Sequence, residues 1–404
     1  MFGVSGLADI GFSLKCLGCG GVVEDLTALK CGVCGSPLIL EYAENHILEG
    51  FKSLYGSGLW RYRRLFPRIP DESIVSLGEG GTPIVEATGI ARRLGVKRVY
   101  LKLEYMNPTG SLKDRGSSLM ISMLKWLGVR RIADDSSGNA GASIAAYSAK
   151  AGLECTIYVP QHTPMDKIAQ ISMYGARVVK VPGDRGETSK AILRDYSKGL
   201  FYYASHNWSP YFLDGFRSFA FEVIEQLGNR IPEHIIFPVG GGSLMLGAYL
   251  GFMDALKADV IRGLPKLHIV QPEACAPIAN AFERGAEHVE PVVEGETIAG
   301  GLRVANPPKG DMILKALRKV GGVAVKVNDQ EILDGYIALS RVEGIFCEPT
   351  SATVYPALKR LISLGVISGD DAVLLPITGF GLKDTHTLIH ALQYASSSPQ
   401  HPIN

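Results

Sequence analysis

With 404 residues, 46% of them hydrophobic, the chain is long enough to bury a large core, divided over roughly two or three domains. Its 41 lysines and arginines against 40 aspartates and glutamates leave no bulk basic charge to draw in nucleic acid or an acidic membrane. The longest apolar stretch, around Leu244 to Met253, is too short to span a bilayer, and no basic segment followed by an apolar run marks a secretory signal. The expected compartment is the cytoplasm.

In chain order, residues 1–45 read as a zinc-ribbon-like module. Cys16-Leu17-Gly18-Cys19-Gly20 and Cys31-Gly32-Val33-Cys34-Gly35 are two C-x-x-C knuckles, each followed by a glycine that lets the turn aim both thiolates at one ion. Four thiolates suit tetrahedral Zn2+, and a site with every position filled by protein is structural. Cys155, Cys275 and Cys347 are scattered and suggest no disulfide framework. Residues 46–75 read as a helix and a connector. The basic run Trp60-Arg61-Tyr62-Arg63-Arg64 within them is short and isolated, which predicts a solvated or interface face and not an RNA or membrane patch. Ser76-Leu77-Gly78-Glu79-Gly80-Gly81-Thr82-Pro83 is a glycine-rich loop that opens the main body, residues 76–404.

From about residue 97, β-type runs alternate with helical segments. Strands are expected at 98–103, 130–133, 155–159, 177–181, 201–204, 234–239, 267–270, 323–327 and 372–377. Such alternation predicts an α/β protein of mainly parallel sheets, with function at the C-terminal strand ends. Four strand-end loops carry candidate chemistry. Asn107-Pro108-Thr109-Gly110-Ser111-Leu112-Lys113-Asp114-Arg115-Gly116 sets Lys113 at a helix N-terminus behind a tight turn, the rigid setting that a Schiff-base lysine needs. Ser136-Ser137-Gly138-Asn139-Ala140-Gly141 opens an Ala-rich helix and offers amides and hydroxyls to a carboxylate. Val239-Gly240-Gly241-Gly242-Ser243 joins a strand to a helix, as a phosphate cup does. Pro376-Ile377-Thr378-Gly379-Phe380-Gly381-Leu382-Lys383-Asp384 follows the last expected strand.

Taken in this order, the motifs resemble those of pyridoxal-phosphate enzymes of fold type II, and of threonine synthases in particular, many archaeal-type relatives of which carry an N-terminal cysteine ribbon. The resemblance covers residues 76 to 384, and Thr297–Arg303 and Glu343–Ala352 look like the same family. It implies two open, mainly parallel αβα lobes, the smaller within about 115–225, and a homodimer with the site between the lobes. It also implies pyridoxal 5'-phosphate as cofactor, bound through Lys113, with Asn139 on the ring oxygen, Gly240, Gly241, Gly242 and Ser243 around the phosphate, and Thr378 facing the pyridine nitrogen. The Ser136, Ser137 and Gly138 loop would take the carboxylate of an amino-acid substrate, with Asn207 in the same pocket. The implied activity is that of a carbon–oxygen lyase, converting O-phospho-L-homoserine and water to L-threonine and phosphate.

One segment departs from the pattern. Well-known members carry an arginine after Asn-Pro-Tyr, where this chain has Ser209-Pro210-Tyr211-Phe212, and a phenyl ring cannot bond a phosphate. Arg217 is the expected substitute. The same departure keeps open a serine/threonine dehydratase or a β-replacing synthase. A binding protein on a retired enzyme fold is disfavoured by the intact Lys113, Asn139, glycine cup and Thr378.

Overall fold

The computed structural model describes residues 10–52, 54–228, 230–385, 387, 389, 391 and 392. All nine expected strands are present, each within two residues of its expected bounds. They lie in two sheets, with a third at the N-terminus. The chain divides into two units, the first comprising the described residues of Met1–Gly81, Asn107–Asn229 and Leu246–Leu264, the second the remainder.

In the first unit, the N-terminal module is an antiparallel sheet in which Phe12–Cys16 lies between Val22–Val23 and Leu38–Tyr42. These strands were hidden from the sequence reading because they are short and punctuated by the knuckles. A four-stranded sheet runs in the order Arg177–Val181, Glu154–Pro160, Arg131–Asp134, Tyr202–Tyr203, with every pair parallel. The helices Lys113–Trp126 and Asn139–Ala151 pack together; every residue of the first from Asp114 to Leu124 is buried. Small residues on Asn139–Ala151 permit that approach, and Gly152, left-handed at φ 70°, stops the helix.

The second unit holds a six-stranded sheet in the order Ala324–Val327, Lys266–Pro272, His234–Pro238, Ala372–Pro376, Arg98–Lys102, Ile84–Glu86. Only the edge strand Ile84–Glu86, too short to be read from the sequence, is antiparallel. The core around these strands is built from Val99, Leu101, Ile236, Val270, Val325, Val373 and Leu375, all buried. No described helix is long and apolar enough to cross a membrane.

Arg217 anchors the N-terminal sheet. Its guanidinium donates to Asp214 (2.6 Å), to Asp254 and to the carbonyl of Leu40 (2.7 Å), and it lies 5.2 Å from the Tyr42 ring centre. Burial pushes the Asp214 carboxyl up to about 6, against the pull of this arginine. The side chain is 3% exposed and fully engaged in ion pairs, so the expected phosphate-binding role of Arg217 is corrected to a structural one. Arg217→Ala would leave two carboxylates buried beside each other, and a loss of about 3–5 kcal/mol in urea denaturation is expected. A loss below about 1 kcal/mol, the value of an exposed pair, would contradict this anchoring.

Candidate active site

Lys113 is the first residue of its helix and is partly buried. The preceding turn is held by Asp114, whose carboxylate accepts the Thr109 amide (2.7 Å), the Thr109 hydroxyl (2.6 Å) and the Ser143 hydroxyl (2.6 Å). Gly110 sits at φ 83°, a backbone state that a side chain would strain. The next residue, Arg115, is fully buried and makes a bidentate pair with Glu222, at 2.7 Å on both arms. Glu222 also accepts the Gly81 amide at 2.7 Å, and Glu79 accepts the Tyr147 hydroxyl at 2.7 Å. The glycine-rich loop is thereby tied to the lysine helix. The roles of Glu79 and Glu222 were not foreseen; an acidic residue in the otherwise apolar run Phe219–Ile224 was the available signal for the second.

The loop after the strand Arg131–Asp134 is set by fully buried Asp134, which accepts the Ser136 amide at 3.1 Å. The helix that follows has Gly138 at its N-cap, with no side-chain hydrogen bond capping it. A Cβ on Gly141 would fall 1.9 Å from the Ser136 carbonyl, which requires glycine. Asp134 also accepts the His206 Nδ1–H at 3.0 Å and the His206 amide at 3.3 Å, so one carboxylate joins this loop to the one carrying Asn207. Phe212 is fully buried with its ring against Gly116, one turn along from Lys113, and His206 meets it edge-on at 6.2 Å between ring centres.

In the second unit, Gly240, Gly241 and Gly242 lead into the helix Ser243–Lys257. Gly242 has φ 77°, and a Cβ there would lie 2.1 Å from Ile313; one on Gly240 would lie 2.9 Å from the Gly301 carbonyl. The cup is therefore lined by backbone amides at a helix N-terminus, which fits a phosphate. The loop around Thr378 is set by Ser351, whose Oγ accepts the amides of Thr378 (2.9 Å) and Gly379 (3.0 Å). With both lone pairs occupied, the Ser351 hydroxyl donates to Thr378 Oγ1 at 2.9 Å, a shorter partner than the Gly379 carbonyl at 3.5 Å. Thr378 then has its own proton left to donate to a ligand, as an unprotonated pyridine nitrogen requires. Taken singly, the Lys113 amine, the cup amides and the Thr378 hydroxyl are group types that fit pyridoxal phosphate.

The four ribbon thiols come within 4.8 Å of one another, with Cys16 and Cys34 Sγ 3.3 Å apart and Cys19 and Cys31 Sγ 3.8 Å apart. Tetrahedral zinc–thiolate geometry needs sulfur separations of about 3.8 Å. Gly20 and Gly35 both have positive φ, at 73° and 72°, and close matching turns onto Cys16 and Cys31. The Ser36 hydroxyl and amide hold the Cys34 thiol down at about 6. The donor set and its spacing fit zinc.

Among families, the model described as "Pyridoxal-phosphate dependent enzyme" matches residues 75–379. The chain is 35% identical to the threonine synthase of Methanocaldococcus jannaschii over 93% of this chain and 94% of that one. It is equally identical to that of Methanosarcina acetivorans, over 94% of both, and 32% identical to that of Mycobacterium bovis over 85% of this chain and 92% of the relative. Among solved structures, the processed form of threonine deaminase isoform 2 from Solanum lycopersicum superposes with a TM-score of 0.69 at 20% identity, covering 92% of this chain and 96% of that one. Maize serine racemase gives 0.65 at 23% identity, covering 78% and 92%. At these identities the structural matches speak for the fold.

Burial pushes the Asp114 carboxyl up to about 6, against the Ser143 and Thr109 bonds that favour its ionised form. The folded chain then holds this proton to higher pH than the unfolded chain, whose aspartate titrates near 3.9, so this group's contribution to stability falls as pH rises through 6. Asp114→Asn removes the titration. Between about pH 4 and pH 7 the stability of the natural chain relative to this variant is expected to drop by up to about 3 kcal/mol in urea denaturation. A difference that stays constant with pH would mean that the three hydrogen bonds keep Asp114 ionised throughout.

Proposed function

We propose, since this chain belongs to the pyridoxal-phosphate dependent enzymes and within them to the threonine synthase family, that it converts O-phospho-L-homoserine and water to L-threonine and phosphate. The observation that carries this reading is the 35% identity to two archaeal threonine synthases over nearly the whole of both chains. When bound, pyridoxal phosphate supplies an electron sink that makes the protons on the substrate's α- and β-carbons removable. Lys113 would hold the cofactor and then, with its amine released, take protons from the α- and β-carbons, while phosphate leaves the γ-carbon, which gains a proton to become the methyl group; water then adds at the β-carbon and a proton returns to the α-carbon.

The remaining residues bind and orient. Amides of Gly240, Gly241, Gly242 and Ser243 would hold the cofactor phosphate, and Asn139 its ring oxygen. The Thr378 hydroxyl would donate to the pyridine nitrogen, leaving the ring less electron-withdrawing than a carboxylate partner would. Ser136, Ser137 and Gly138 would take the substrate carboxylate at the helix N-terminus, with Asn207 beside them. Phe212 favours a second reading, a serine/threonine dehydratase, whose substrate has no phosphate to bind.

Lys113→Ala is expected to abolish threonine formation and the visible absorbance of the lysine-bound cofactor. A variant that keeps this absorbance would overturn the role given to Lys113.

Cys16, Cys19, Cys31 and Cys34 would hold a structural zinc ion, supported by their spacing and paired turns. Metal analysis of the purified protein is expected to give one zinc per chain, lost in a Cys16→Ser/Cys31→Ser variant together with thermal stability. A metal-free protein of unchanged stability would contradict the zinc site.

A further inference from the structure

A phosphorylated substrate needs a second anion site besides the one for the cofactor, and the two arginine positions considered for it are closed. Position 212 is a buried phenylalanine, and Arg217 is held by Asp214, Asp254 and the Leu40 carbonyl. His206 stands beside Phe212 with a different set of constraints. Its Nδ1 lies 3.0 Å from Asp134 Oδ1 and 3.2 Å from Oδ2; a carboxylate accepts only, so the proton sits on Nδ1. Nε2 makes no hydrogen bond with any described residue, and the side chain remains 19% exposed. The ring therefore presents one nitrogen outward while the other is fixed by a fully buried carboxylate. Asp134 also holds the Ser136 loop, which places the imidazole on the same strand end as the candidate carboxylate site.

We infer that His206, oriented by Asp134 and packed edge-on against Phe212, is the phosphate-recognition residue for the substrate, in place of the missing arginine. The inference rests on the threonine synthase reading and names the group that makes its substrate specific. The contact is a hydrogen bond between Nε2 and a phosphate oxygen, and it needs one proton. The imidazole brings it when both nitrogens are protonated, or the phosphate monoester brings it, since its second proton titrates near pH 6. In either case the Asp134 carboxylate fixes the orientation of the ring by accepting its Nδ1–H, and the Phe212 ring covers one side of it. Nearby Asp135 accepts the Tyr203 hydroxyl (2.9 Å) and the Ser189 hydroxyl (2.7 Å).

The test compares the natural enzyme with His206→Ala and His206→Gln, each loaded with cofactor, by three readouts. These are KM and kcat for O-phospho-L-homoserine, inhibition by inorganic phosphate, and the change in cofactor absorbance on titration with L-threonine, which carries no phosphate. The expected result is a rise in KM and in the phosphate inhibition constant of about tenfold to a hundredfold, the equivalent of one charge-assisted hydrogen bond. The threonine titration should stay unchanged. Unchanged KM and phosphate inhibition would overturn the assignment. So would a parallel loss of all three readouts, which would give His206 a purely structural role. If the natural enzyme itself releases no phosphate from O-phospho-L-homoserine, the threonine synthase reading fails first and the assignment falls with it.

Discussion

Asp114 accepts three hydrogen bonds without any access to water, and the presentation of Lys113 depends on them. Two come from Thr109, so the turn before the lysine cannot relax; the third comes from Ser143, on the neighbouring helix. A carboxylate is costly to bury, and it is tolerated only where donors surround it. That cost fixes the geometry: any shift of the turn would strand a charge in the core. Arg115 and Glu222 repeat the device one residue later and extend it to the loop at Gly81. Lys113, proposed to hold the cofactor, is thus placed by buried electrostatics, not by apolar packing alone.

The same logic recurs at the other strand ends. Asp134 joins the Ser136 loop to His206, and Ser351 fixes the direction of the Thr378 hydroxyl through two backbone amides. In each case a short polar side chain at the end of a strand or in the first turn of a helix organises the loop backbone beside it. The parallel sheets bring these loops to their C-terminal ends, which is where such folds carry ligands.

Much of this was legible from the chain. Strands buried on both faces read as apolar runs, and glycine-rich turns followed by helical spacing marked the four candidate loops. The short strands Val22–Val23 and Ile84–Glu86 offered too few residues for a pattern. Side-chain partnerships were the harder part. The Asp214–Arg217 spacing was visible as an i,i+3 pair, but Asp254 lies 37 residues further on, and only the fold reveals that Arg217 is enclosed. His206 and Asp134 are 72 residues apart, and no periodicity in the sequence links them. Local pattern carries backbone conformation; long-range charge pairing is decided by topology.

In the proposed reaction water enters at carbon and phosphate leaves intact. The direct measurement is turnover of O-phospho-L-homoserine in water enriched in oxygen-18, with both products analysed by mass spectrometry. The expected result is threonine and phosphate in equal amounts, with the label in the threonine hydroxyl and unlabelled phosphate. Label in the phosphate accompanied by homoserine would mean simple hydrolysis at phosphorus. Absence of both products, with 2-oxobutanoate formed from threonine instead, would make the enzyme a dehydratase.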